Sequence, residues 1–250
     1  MIKFEKVTKR LGGRNILDDL SFEIAKGEIF AIVGPSGTGK SVTLKHMVRL
    51  LTPTSGSVWV DGTEVSAANG AELDRVRERF GYLFQGGALL GWMSVAENIA
   101  LPLREKTRLK EPEILQRVAE ALRMVGLEND GEKYPSEISG GMQKRAGLAR
   151  AIVRRPEIVL YDEPTSGLDP VTARTIDQLI RRLNEELGIT SVVVTHDLQG
   201  ALLIADRIAM LTGGRFVEAS APKAFVATDQ ADVRGFLDAQ FITKKGLEGM

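Results

Sequence analysis

Apolar residues along this chain come first in short, strand-like runs. Ile2–Val7, Leu20–Ile24, Ile29–Val33 and Val58–Val60 read as strands, with Gly12-Gly13 and Lys26-Gly27 as turn signals between them. A helix is expected to begin near Lys40, directly after a glycine-rich turn. From about Glu97 to Val153 the spacing becomes helical, and Glu111–Val125 is the clearest amphipathic piece. Ile158–Tyr161 and Ser191–Val194 are nearly continuous apolar runs, the pattern of strands covered on both faces. Between them lies a helix over Pro170–Leu187, with Pro170 in its first turn. The alternation predicts an α/β core interrupted by a helical insertion, with a tail from Pro222.

Composition narrows the class. Hydrophobic residues are 43% and charged residues 26%, as in ordinary globular domains. Lys+Arg and Asp+Glu balance at 33 each, which argues against a chain devoted to coating nucleic acid. The absence of cysteine removes disulfides, zinc–thiolate sites and thiol catalysis. The first ten residues, MIKFEKVTKR, read as a charged strand and not as a targeting segment. The longest uncharged run, Phe80 to Ala96, is glycine-rich and shorter than the roughly 20 apolar residues a membrane span needs, so no crossing is expected.

The sharpest chemistry is GPSGTGKS, comprising Gly34, Pro35, Ser36, Gly37, Thr38, Gly39, Lys40 and Ser41, with Val42 following. It fits G-x-x-x-x-G-K-[ST] between a predicted strand and a predicted helix. Glycines let backbone N–H groups point at phosphate oxygens, and the helix N-terminus adds its dipole. Lys40 is expected to reach the β- and γ-phosphates and the Ser41 hydroxyl to meet Mg²⁺. Chance produces such a match in about one chain in a hundred of this length, so an ordinary glycine turn is a weak alternative. IVLYDEP places Asp162 and Glu163 at the carboxyl end of an apolar strand, where ligands bind in open α/β sheets. Asp162 suits a Mg²⁺ shell and Glu163 the polarisation of an attacking water, although two acids after a strand can also simply open a solvated loop. His196, after SVVVT, can bond a γ-phosphate or hold the water, or be a strand-end histidine satisfied by backbone. Gln85 offers an amide to Mg²⁺ or water, with a plain loop residue as the alternative. His46 reads as structural.

Taken in order, GPSGTGKS, Gln85, ISGGM, YDEP, SGLD and THD resemble the nucleotide-binding subunits of ABC transporters, from the first strand to about Ala219. The family's LSGGQ signature is matched by Ile138, Ser139, Gly140, Gly141 and Met142, with methionine in place of glutamine. The resemblance implies a P-loop, RecA-like α/β core with an antiparallel β edge and an inserted α-helical subdomain. It divides the chain into an ATPase domain over 1–221, with core 1–84 and 157–221 and helical subdomain about 85–156, and a helical tail over 222–250. It implies ATP and Mg²⁺ as cofactors, and a second copy of the chain packed head to tail. Ser139, Gly140 and Gly141 of one copy would then cap the nucleotide in the other's cradle, and Asp169 would line the same interface. Arg145 and Arg150 are expected to stabilise the signature helix. The aromatic that usually stacks on adenine is replaced by Leu11, which predicts weak discrimination between ATP and GTP.

Leu89, Leu90, Trp92 and Met93 sit where the family receives a permease's coupling helix, and an apolar patch suits that use, although they can also pack inward. SGGM together with GALL…ENIALPLRE resembles the ATPase of Mla-type systems, which move phospholipid between membranes with a permease and an MCE-domain lipid-binding protein. The location implied is peripheral, on the cytoplasmic face of the inner membrane, with no nucleic acid partner. An importer ATPase for amino acids or other polar solutes is the nearest alternative. A DNA-associated ATPase of the superfamily would carry a long coiled coil or zinc modules, neither of which is present. Val233, Phe236, Leu237 and Phe241 form an apolar stripe at helical spacing that packs on the chain's own core or clasps a second copy.

Overall fold

The computed structural model describes residues 1–240 and 242. They fall into two compact units, one formed by residues 1–78 and the chain from Thr190 on, the other by Arg79–Ile189. The first unit opens with β1 (Ile2–Leu11), β2 (Arg14–Ile24), β3 (Ile29–Val33), α1 (Lys40–Met47), β4 (Ser55–Val60), β5 (Thr63–Glu64) and α2 (Gly70–Glu78). The second holds β6 (Phe80–Leu83), α3 (Val95–Lys106), α4 (Glu111–Met124), a 3₁₀ turn at Pro135–Glu137, α5 (Gly140–Ile152), β7 (Ile158–Asp162) and α6 (Pro170–Leu187). The chain then rejoins the first unit through β8 (Thr190–Thr195), α7 (Leu198–Ile204), β9 (Arg207–Thr212), β10 (Arg215–Ser220), α8 (Pro222–Ala227) and α9 (Ala231–Ala239).

In the first unit, β1 and β2 form a hairpin closed by Gly12 and Gly13 at φ 55° and 77°, the left-handed pair that matches the twist of a two-residue turn. Both strands run longer than their apolar stretches suggest, because the ladder continues through polar positions to the Leu11–Arg14 pair. Lys6 and Asp19 bulge at φ 48° and 53°. Side chains replace the missing ladder bonds there: the Lys6 amide donates to Ser21 Oγ at 2.8 Å and the Asp19 amide to Thr8 Oγ1 at 3.0 Å. The antiparallel sheet has the order β2-β1-β4-β5. A second group of strands places β3 between β8 and β9, parallel to both, with β10 antiparallel to β9. Every residue of β3 and β8 is buried, as their apolar runs require. Phe22 joins the two layers, its ring 4.5 Å from Phe4, 5.6 Å from Phe30 and 4.9 Å from Phe216.

In the second unit β6 runs parallel to β7, and α3, α4 and α5 pack on one another. The sequence pattern assigns no strand to β6, since Gly81 breaks its short apolar run. The structure supplies the reason for that glycine: a Cβ at 81 would lie 2.3 Å from the Ala151 carbonyl oxygen of α5. The hairpin of β9 and β10, turning at Gly213-Gly214, is likewise absent from the expected elements. In the tail, Val233 and Leu237 of α9 are fully buried in their own unit together with Phe225 of α8, and Phe236 is half-buried. Phe241 lies outside the described residues. Among those described, no helix is long and apolar enough to cross a membrane.

Candidate functional site

The GPSGTGKS loop follows β3 directly. Gly34 stands at φ 146°, and a Cβ there would come 2.4 Å from the Leu211 carbonyl oxygen, so only glycine lets the loop leave the strand at this point. Gly39, at φ 103°, precedes α1 without a side-chain cap. Lys40 is 6% exposed, and its ammonium donates to the carbonyls of Gly34 at 2.8 Å and Pro35 at 3.0 Å. The lysine therefore lies folded over the inner rim of its own loop, while Pro35, Ser36 and Gly37 stay exposed. Thr38 tightens the loop by donating to the Pro35 carbonyl at 2.9 Å, and Ser41 and Val42 are half-buried in the first turn of α1. Leu11 ends β1 at 44% exposure, an apolar side chain left at the surface. His46 is buried on α1 with Nδ1–H on the Val42 carbonyl, and burial pushes its pKa down.

In the second unit Asp162 ends β7 and Glu163 follows it, both buried. Tyr82 of β6 donates its hydroxyl to Asp162 Oδ2 at 3.3 Å and stacks on Phe84 at 4.2 Å. Burial, and then the Asp162 charge, push the Tyr82 pKa up, which keeps it a neutral donor. Glu163 stands at φ 51°, a left-handed conformation that costs a residue with a Cβ roughly 1–2 kcal/mol. Its carbonyl is held by three donors: the Ser166 amide at 3.2 Å, the Ser166 hydroxyl at 3.0 Å and the Lys144 ammonium at 3.2 Å. The same ammonium donates to the carbonyl of Gln85, whose side chain is exposed. Lys144 is 5% exposed. Burial pushes its pKa down, opposed by the carboxylates of Glu163 and Asp162.

Ser139 caps α5, accepting from the Met142 amide at 3.3 Å, and both Ser139 and Gly140 are exposed at the helix start. Gly141 is buried because α6 passes close by: a Cβ would sit 2.5 Å from Thr172 Cγ2. Asp169 caps α6, accepting from the amides of Val171 and Thr172 at 3.0 Å each, and the Thr172 side chain, followed by these amides, holds its carboxyl below the usual range. Arg145 donates to the carbonyls of Val125 and Gly126, and Arg150 to those of Ala88 and Gly87.

His196 is exposed after β8. Its backbone is gripped by a residue that carried no sequence signal. Gln240, after α9, donates Nε2 to the His196 carbonyl at 2.9 Å and accepts the Leu198 amide on Oε1 at 3.0 Å. One carboxamide thus spans Asp197, which itself caps α7 through the Gly200 amide at 3.0 Å. The chain has two histidines, so His46 serves as an internal control. Gln240→Ala is expected to shift the His196 imidazole resonances and leave those of His46 in place. An unmoved His196 spectrum would show that the tail does not set its environment.

The apolar loop after Gln85 is also braced from within. Trp92 is 75% exposed, while Leu89, Leu90 and Met93 are half-buried. Behind them Asn98 of α3 is fully buried. Its Oδ1 accepts the Leu90 amide at 2.7 Å, and its Nδ2 lies 3.0 to 3.1 Å from the carbonyls of Leu90, Met93 and Ser94. A polar residue on the apolar face of a helix was the available signal. Asn98→Ala strips these buried groups of their partner, which costs about 1–3 kcal/mol. The expected result is a melting temperature lowered by several degrees and weaker protection of the 90–94 amides in hydrogen exchange.

The family profile described as ABC transporter matches residues 17–166. "Probable ribonucleotide transport ATP-binding protein mkl" of Mycobacterium leprae is 44% identical over 246 residues, 98% of this chain and 71% of that protein. "Methionine import ATP-binding protein MetN" of Carboxydothermus hydrogenoformans is 46% identical over 202 residues, covering 81% of this chain and 60% of the relative. "Intermembrane phospholipid transport system ATP-binding protein MlaF" of Escherichia coli K12 is 40% identical over 238 residues, 95% of this chain and 88% of that one. Among solved structures, the "dimeric structure of a post-hydrolysis state of the ATP-binding cassette MJ0796 bound to ADP and Pi" matches with a TM-score of 0.81 and 36% identity, covering 89% of this chain and 99% of that one.

Proposed function

Since this chain belongs to the ATPases of ABC transporters, we propose that the transport it powers is the movement of phospholipid or a related lipid between membranes of the envelope. The observation that supports this is mutual coverage and not identity: the match to mkl, at 44% identity, spans 98% of this chain but 71% of that relative. The match to MlaF spans 95% of this chain and 88% of the relative, whereas the match to MetN stops at 81% and 60%. The higher identity to MetN, 46% against 40%, favours the second reading, an importer ATPase for amino acids or another small polar solute.

In this proposal Gly34–Val42 cradle the triphosphate, and Lys40 exchanges the loop carbonyls it now holds for β- and γ-phosphate oxygens. Leu11 gives the base an apolar contact without stacking, so discrimination between ATP and GTP is weak. Ser41, Gln85 and Asp162 offer a hydroxyl, an amide and a carboxylate, a set of hard oxygen donors that fits Mg²⁺. When bound, that ion offsets charge building on the phosphates. Glu163 polarises the attacking water, and His196 bonds the γ-phosphate or the same water. Ser139, Gly140, Gly141 and Asp169 act on the nucleotide of a second copy. The exposure of the α5 start supports that arrangement, as does the dimer described for MJ0796. Trp92, with Leu89, Leu90 and Met93, forms the permease contact, and an MCE-domain lipid-binding protein completes a complex on the cytoplasmic face of the inner membrane. The helical subdomain of about 85–156 carries that contact, and no nucleic acid takes part.

Purification of the chain with its membrane partners, followed by identification of co-isolated molecules, tests the assignment. Phospholipid bound in a partner of the complex, at defined stoichiometry, is the expected result. A partner soluble-binding protein carrying an amino acid would establish the second reading instead.

A further inference from the structure

The strongest unassigned feature is the buried ammonium of Lys144. It stands on α5, the helix whose exposed start carries Ser139 and Gly140. It donates to the backbone carbonyl of Gln85, to that of Glu163 at 3.2 Å, and to Ser166 Oγ at 3.4 Å. Those acceptors belong to two segments far apart in sequence: the loop after β6 and the turn after β7. An ammonium has three N–H donors, and here two meet the carbonyls of Gln85 and Glu163, residues proposed to serve the chain's own nucleotide, while the third meets the Ser166 hydroxyl. At 5% exposure, water does not replace a lost partner, so a shift of α5 must carry the two carbonyls along or leave a charge unpaired. The left-handed backbone of Glu163 makes it sensitive to such a pull, because that conformation is maintained by the donors on its carbonyl.

We infer that Lys144 is a positioning residue that couples the signature end of α5 to Gln85 and Glu163, so that closure of one composite site is transmitted to the other. The inference rests on the two-copy arrangement proposed above. In that arrangement α5 serves the partner's nucleotide, while Gln85 and Glu163 serve the chain's own. One rigid link between them makes the two hydrolysis events interdependent.

The test compares the Hill coefficient of ATP hydrolysis in the assembled complex for wild type, Lys144→Met and Ser166→Ala. Methionine keeps much of the shape and removes all three bonds; Ser166→Ala removes one acceptor and serves if the methionine variant does not fold. Wild type is expected to approach a coefficient of about two, the number of sites. Lys144→Met should fall towards one with the isolated chain's nucleotide affinity unchanged, and Ser166→Ala should lie between. A merely structural lysine would lower the melting temperature and the rate while leaving the coefficient at the wild-type value, and that result overturns the inference. A Ser166→Ala coefficient equal to wild type in the absence of a folded methionine variant overturns it as well. Wild type with a coefficient of one, and hydrolysis independent of pairing, would instead remove the two-copy arrangement and the coupling with it.

Discussion

Glu163→Gln is expected to retain nucleotide binding while turnover falls by at least about 10²-fold, the scale seen when one transition-state stabiliser is removed. The substitution replaces the carboxylate by a neutral carboxamide of nearly the same shape, removing both its charge and its ability to take a proton. A glutamine fills the same volume, and the backbone at φ 51° remains held by Ser166 and Lys144 through the carbonyl, which the substitution leaves intact. Binding by the cradle depends on Gly34–Val42 and should therefore survive. What disappears is a buried carboxylate able to polarise water, so the nucleotide-bound pair of chains should accumulate instead of separating. Phosphate release gives the rate, and size-exclusion chromatography with ATP and Mg²⁺ gives the trapped pair. Turnover near wild type would remove Glu163 from the chemical step.

Ser139→Ala is the second large effect, and it separates local from remote roles. Within its own chain the hydroxyl caps α5 through a 3.3 Å bond, and loss of a cap costs about 1 kcal/mol of stability. That cost does not touch the cradle, so nucleotide affinity of the dilute chain should stay almost unchanged. Across the pair, the hydroxyl would donate to a γ-phosphate. A hydrogen bond to a charged group is worth about 1.5–3 kcal/mol, so hydrolysis should drop by roughly ten- to 150-fold. Ser139→Asn keeps the cap and should recover stability without recovering rate. Collapse of nucleotide affinity in the dilute alanine variant would assign the serine to its own cradle.

The parts of this site legible in the sequence are those whose geometry is local. GPSGTGKS specifies a loop because its glycines, its lysine and the following helix lie within eight residues, and Gly34 and Gly39 do stand at positive φ. Asp162 and Glu163 follow from an apolar strand that ends in acids, and β7 ends at Asp162. Asp169 before Pro170 announces a capped helix, and it caps one. The bonds that position these groups were not legible, because their partners meet only after folding. Lys144 and Gln85 are 59 residues apart, and Gln240 and His196 are 44 apart. Nothing in the sequence around Lys144, on the buried face of α5, shows what its ammonium meets, and Gln240 breaks no local pattern that would mark it. Asn98 does break one, as a polar residue on the buried face of α3. β6 was hidden for the opposite reason: Gly81 looks like a turn until the Ala151 carbonyl above it explains the missing side chain.

Each active centre is proposed to draw one half from each of two chains, so hydrolysis requires pairing. ATP turnover per chain, followed across a dilution series with the fraction of paired chains read by light scattering, addresses it directly. Turnover should track the paired fraction and vanish with it, whereas a chain kept solitary that hydrolyses ATP at the rate of the assembled complex would contradict the account.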